Sequence, residues 1–149
     1  MTPESVIPVV VDAPQHAGLG ATLDYLAAAP LPPGTLVQVP LGRRQVTGIV
    51  WPRRVGEPAG AAQLRPVQQA LLSLPPLGPA WMQLVEFCAA YYQRSIGEVA
   101  LSVLPPELRK LDDARMGKRL ERLRRPAPAA LPAAAQAQLP PLTDEQQAA

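Results

Sequence analysis

A chain of 149 residues has room for one hydrophobic core of ordinary size, or for a small domain with a tail, but hardly for two well-buried domains. Its 20 prolines sit within a 48% hydrophobic composition, so part of the apolar count belongs to short elements and stiff connectors and not to a packed interior. The single cysteine, Cys88, excludes an intramolecular disulfide and a thiolate zinc cluster, and no run approaches the ~18 apolar residues of a membrane span.

The formal net charge of +2 is unevenly spread. Residues 1–108 carry six basic and seven acidic side chains, whereas residues 109–125 carry eight basic ones (Arg109, Lys110, Arg115, Lys118, Arg119, Arg122, Arg124, Arg125) and three acidic. A polyanion is therefore gripped most strongly over 109–125. Met1 to Ser5 offer no positive charge ahead of an apolar run, which argues against a signal peptide and, with the lone cysteine, for a cytoplasmic setting.

In chain order, Val-Ile-Pro-Val-Val-Val-Asp over residues 6–12 is a β-branched run too short for a helix, and Pro8 predicts that it is an edge strand. Pro14, Gly18 and Gly20 mark a loop before the short segment Thr22 to Leu26. Residues 36–40 and 45–51 flank Leu41-Gly42-Arg43-Arg44, the pattern of a β-hairpin. Residues 52–63 read as a surface loop. Leu64 to Val67 favour an extended segment, and Gln68 to Leu72 suit either extension or a helix.

From Pro79 the period changes. Trp81, Leu84, Val85, Cys88, Ala89 and Tyr92 recur at helical spacing and predict an amphipathic helix, with Tyr92 in the core and Tyr91 at the surface. Ser95 is the expected N-cap of a second helix with Ile96, Val99, Ala100, Val103 and Leu104 inward, and Glu98 completes a capping box. Pro105 and Pro106 stop it. The basic stretch 107–125 predicts a third, solvated helix with a thin stripe of Leu108, Leu111, Leu120 and Leu123. Residues 126–149 read as a Pro/Ala-rich disordered linker. The fold class is therefore α+β: a compact, strand-rich domain with a small antiparallel, barrel-like sheet, two C-terminal helices, a basic helix and a tail.

Catalytic inventories fail. One histidine, His16, one cysteine and no clustered carboxylates cannot assemble a triad or a metal set. Gly18-Leu19-Gly20-Ala21-Thr22 lacks the lysine of a phosphate loop, so nucleotide binding is excluded there. The chain is expected to have no catalytic, metal or cofactor site of its own.

Two blocks, Val37 to Val50 and Leu84 to Val99, together with Leu23-Asp24-Tyr25-Leu26 and Leu101 to Pro106, resemble the N-terminal domain of the primosomal protein N-prime family of replication-restart helicases. The double tyrosine followed by Ile-Gly-Glu and a Leu-Pro-Pro stop carries most of the likeness. The resemblance implies a 3′-DNA-end-binding domain over 5–108, a basic helix or connector over 109–125, and a linker over 126–149 leading toward a helicase lobe. Such a domain would hold the 3′ end of the nascent leading strand at stalled forks without sequence preference.

By the same resemblance the strand terminus sits among Leu23, Asp24, Tyr25, Gly42 and Arg65, with Arg43 and Arg44 on the DNA backbone. The implied partners are DNA forks and 3′ ends, single-strand-binding protein and other primosome proteins, met by a monomer associated with the nucleoid. ATP, magnesium and zinc are implied only for the helicase portion. Leu23 stands where some members carry an aromatic. Leu142 to Ala149 look like the start of the first helicase lobe, which leaves the usual winged-helix module reduced or absent unless it begins here.

The physical roles follow from residue type. A carboxylate such as Asp24 accepts hydrogen bonds from base amino groups or a terminal hydroxyl, and Gly42 lets the main chain approach a sugar closely. Arginines pair with phosphates without reading sequence, and exposed tyrosines stack bases. Each has a plainer alternative: Asp24 as a solvated turn carboxylate, Gly42 as a hairpin turn, the arginines as solubilising charges, and Cys88 as a small buried hydrophobe. A protein-interaction module docking primosome or single-strand-binding partners is the competing function.

Overall fold

A computed structural model describes residues 5–13, 22–53, 64–110 and 112–125. Its strands are β1 (Ser5–Val11), β2 (Leu23–Ala27), β3 (Leu36–Leu41), β4 (Arg44–Val50), β5 (Arg65–Pro66) and β6 (Gln69–Ala70). Its helices are α1 (Pro79–Tyr92), α2 (Ile96–Ser102) and α3 (Asp113–Arg124), with a 3₁₀ turn over Pro106–Arg109.

The sheet order is β5-β2-β1-β4-β3-β6. All its pairings are antiparallel except β2 with β5, so the sheet is mixed. The two ends of that order, β5 and β6, are separated in sequence only by Val67 and Gln68. One short segment thus pairs with β2 on one side and β3 on the other, which forces the sheet to curl toward a half-barrel. Val67 N–H donates to the Leu26 carbonyl at 2.7 Å and Gln68 N–H to the Gln38 carbonyl at 2.9 Å, completing that brace.

Because β1 lies between β2 and β4, the edge-strand expectation for residues 6–12 is corrected. Pro8 is tolerated there for a local reason. Its carbonyl accepts from Trp51 N–H at 2.9 Å, just past the end of β4 at Val50, so its missing N–H falls where that ladder is already ending. The strand is buried on both faces, and this explains its continuous apolar run. Ile7, Val9 and Val11 join Tyr25, Ala27, Val37, Val39 and Val50 inside the curl. Val10 points the other way, into a second cluster with Leu36, Ile49, Trp51, Leu71 and the inward residues of α1 and α2.

The helices dock on that second face. In α1 the buried residues are Met82, Val85 and Ala89, a line rotated from the predicted stripe. Leu84 is 59% and Tyr92 68% exposed, so the expectation that Tyr92 is core is overturned, and Cys88 is only half-buried. Almost every α1 residue is apolar, so periodicity alone could not select the face. Contacts chose it: Trp81 meets Trp51 edge-on at 6.5 Å, and Trp51 Nε1 donates to Glu86 Oε1 at 2.8 Å.

Helix α2 begins as expected, with Ser95 Oγ accepting from Glu98 N–H at 3.1 Å. The Glu98 carboxylate, however, takes Arg94 at 2.7 Å, so only the Ser95 half of the capping box is seen. Gly97 lets α2 lie against the β1 main chain: a Cβ there would fall on the Val11 carbonyl, 2.6 Å from its carbon and 2.9 Å from the Val11 nitrogen.

The predicted third helix starts later, at Asp113, capped by Asp112 Oδ1 accepting from Arg115 N–H at 2.7 Å. Its anchor is Met116, 1% exposed, while Leu123 of the expected stripe is exposed. The predicted loop around His16 and the linker over 126–149 lie outside the described residues.

Candidate DNA-end-binding site

The bend between β3 and β4 is a two-residue turn, with Leu41 paired to Arg44 across Gly42 and Arg43. Gly42 has φ of +60° and Arg43 is not among the positive-φ residues, the sign pattern of a type II′ hairpin turn. A Cβ at Gly42 would meet nothing within 4 Å. The glycine therefore serves the turn's conformation, and the space above its main chain is open to a ligand.

Three ties join this turn and its flanking strands to the rest of the rim. Arg65 Nη1 donates to the Gly42 carbonyl at 2.7 Å. Gln45 Nε2 donates to Gln68 Oε1 at 3.0 Å, and the Tyr25 hydroxyl donates to the Pro40 carbonyl at 2.9 Å. Tyr25 and Arg65 are register partners in the β2–β5 pairing. The structure thus brings together Tyr25, Gly42 and Arg65, distant in sequence, at one rim of the curled sheet, with Arg43 and Arg44 exposed on the same turn. Burial lifts the Tyr25 phenol above its ordinary value of 10.0, and the positive charge of Arg65 offsets part of that rise.

Strand pleating sends Leu23 and Tyr25 to one face of β2 and Asp24 to the other. Leu23 packs on the interior cluster. Asp24 is paired with Arg53: Nη2 donates to Oδ1 at 2.7 Å and Nη1 to Oδ2 at 3.3 Å. With side-chain exposures of 9% for Asp24 and 29% for Arg53, this is a largely enclosed, two-pronged ion pair, and the solvated-turn alternative for Asp24 is corrected. Sequence reasoning missed Arg53. It follows the Trp51-Pro52 exit of β4 with no pattern of its own, and the requirement of a strand carboxylate for a partner was the one available signal.

A second aromatic surface stands on α1. Phe87 and Tyr91 stack with ring centroids 6.0 Å apart, Tyr91 meets Tyr92 edge-on at 5.0 Å, and all three are exposed. Among the described residues, concavities also lie elsewhere. One is an apolar groove that includes Pro33, Leu77 and Met82, and another runs along α3. Among the described residues no group of three or more His, Cys, Asp or Glu could hold a metal ion, and no helix is long and apolar enough to cross a membrane.

A curled sheet with an arginine-bearing rim is suited to holding a polyanion, and residues 8–105, about two-thirds of the chain, match the family model of a 3′ DNA-binding domain (3′BD). The chain belongs to that family, the DNA-binding domain of PriA. The match ends at Pro105, before the 3₁₀ turn and α3.

Proposed function

We propose that this domain grips the 3′ terminus of a DNA strand without reading its sequence, and that it does so as the N-terminal part of a replication-restart helicase acting at stalled forks. The observation carrying the reading is the convergence of Tyr25, Gly42 and Arg65 on one rim, with Arg43 and Arg44 beside them. In this reading Arg65 holds the last phosphodiester, Arg43 and Arg44 hold the backbone behind it, and the bare Gly42 main chain admits the sugar closely. Leu23 and Tyr25 form the wall beneath. Asp24 turns to the opposite face of β2 and is engaged by Arg53, so in this reading it stands behind the rim and is not one of its contacts.

Chemistry beyond binding is assigned to other parts of the parent protein: ATP with magnesium and a zinc element in an ATP-dependent 3′–5′ helicase portion. The test compares fluorescence anisotropy on single strands ending in a 3′-hydroxyl and in a 3′-phosphate. A bulky terminal phosphate, for which a pocket closed over a strand end has no room, should weaken binding by tenfold or more, about 1.4 kcal/mol. Equal affinity removes the end pocket.

A protein-docking role is the second reading, favoured by one observation: Leu84, Phe87, Tyr91 and Tyr92 leave an apolar face of α1 exposed. It predicts that single-strand-binding protein or another primosome component is retained without DNA and lost in a Phe87→Ala/Tyr91→Ala variant.

A further inference from the structure

Helix α3 lies beyond the family match and is held to the body by one face. Met116 is buried, Ser73 N–H donates to Asp113 Oδ1 at 2.8 Å, and Ser73 Oγ donates to the Asp113 carbonyl at 3.2 Å. Asp112 is committed to the N-cap. Both acidic residues at the helix start are thus turned to structural work, and apart from the exposed Glu121 the charged side chains that remain on α3 are cations.

Those cations are ordered. Arg115, Lys118, Arg119 and Arg122 fall at i, i+3, i+4 and i+7, and with Leu123 they line one shallow groove. Arg125 follows three residues further on. Arg115 makes a loose, exposed pair with Asp112 at 3.5 Å. Among the described residues, Lys118, Arg119 and Arg122 have no carboxylate within ion-pair distance. Like charges at i and i+4 oppose a helix, as at Arg115 with Arg119 and Lys118 with Arg122, and a bound polyanion relieves that repulsion. Arg109, counted with this basic stretch in sequence, is not part of the stripe. Its carbonyl accepts from Thr47 Oγ1 at 3.0 Å, and its guanidinium lies beside Asp12.

We infer that this face of α3 is a second DNA contact, made to the phosphate backbone of a duplex and separate from strand-end recognition. Duplex is favoured over single strand because no aromatic residue follows Tyr92, so α3 has no platform on which unpaired bases could stack. Phosphate is favoured over an acidic peptide because arginines predominate and their forked donors match phosphate oxygens two at a time.

The test uses the full chain and a covalently closed duplex dumbbell, which has no 3′ end to offer. Anisotropy titrations over a salt series compare the wild type with a Lys118→Gln/Arg119→Gln/Arg122→Gln variant, and circular dichroism checks its fold. Three lost phosphate contacts at ~0.9 each should lower the slope of log K against log salt by about 2–3, with a tenfold or greater loss of affinity. Preference for a 3′-hydroxyl over a 3′-phosphate on single strands should be retained. Unchanged dumbbell binding overturns the inference, and tighter binding of a closed single-stranded circle overturns the duplex assignment. A labelled poly-glutamate peptide that outbinds the dumbbell and suffers the same loss points to an acidic protein partner instead. Absence of end preference in the wild type with dumbbell binding intact would sink the end-pocket reading and leave this one standing.

Discussion

Replacing Gly97 with alanine tests whether the Ile-Gly-Glu segment works through the fold or through the ligand. The new Cβ would sit 2.6 Å from the Val11 carbonyl carbon, and the obstacle is the Val11 main chain, so no side chain can swing clear. Restoring an ordinary carbon–carbon separation of ~3.5 Å requires α2 to retreat from β1 by about 1 Å, and a gap of that size forfeits a quarter to a half of each contact it opens. The residues that lose contacts are Ile96, Ala100 and Leu101, all buried against the sheet. Overpacking of this kind costs about 3 kcal/mol, the upper part of its usual range. For a domain of this size that lowers the melting temperature by roughly 10–20 °C. Urea unfolding followed by circular dichroism measures the cost. Gly78→Ala is the control, since Gly78 has φ of −69° and open space where its Cβ would go, and it should change stability by under about 1 kcal/mol. A Gly97→Ala midpoint within about 0.5 kcal/mol of the wild type would refute the argument from close approach.

Asp24→Ala should destabilise by about 1–3 kcal/mol, below the cost for a fully buried pair because Arg53 keeps some water. An Asp24→Ala/Arg53→Met double variant should cost less than the sum of the singles in chemical denaturation, and strict additivity would deny the pairing. Because burial raises the folded-state pKa of Tyr25, its stabilising contribution is complete below about 10 and is lost as pH climbs through the folded value. Thermal melts should therefore weaken in strong alkali, and Tyr25→Phe should flatten that decline; an equally steep decline in the variant would place the effect elsewhere. Arg65→Met should reduce the salt slope of binding to a 3′-ended strand by about 1 while changing stability little, and Arg65→Lys should recover part of the affinity.

Much of the fold was readable where the residues themselves enforce a period or a stop. The Gly42 hairpin, the Pro79 start of α1 and the Ser95 cap are local chemistry and appear where expected, whereas α2 ends at Ser102, short of the Pro105-Pro106 stop, and leaves Val103 exposed. Tertiary choices were not readable. Pro8 looked like an edge marker because the end of β4 beside it is a fact of three dimensions. Nor could an almost wholly apolar α1 declare which side faces Trp51. Of the site, the residues that implied the family came from its motifs, and physics alone would have left Asp24 and Gly42 as ordinary turn residues. The Arg53 partnership and the regular spacing of cations on an anchored α3 emerged only once neighbouring elements were in place.

The brace that curls the sheet is made late in the chain. Residues 65–66 pair with 25–26 and residues 69–70 with 37–38, so each closing contact waits some thirty to forty residues after its partner has been synthesised. Until then a growing polypeptide shows two open margins, β2 and β3, that neighbouring chains can zip onto. Fragments ending before residue 65 should accordingly clump during translation, and fusion boundaries for making this domain are best placed beyond the point where α2 has settled on β1.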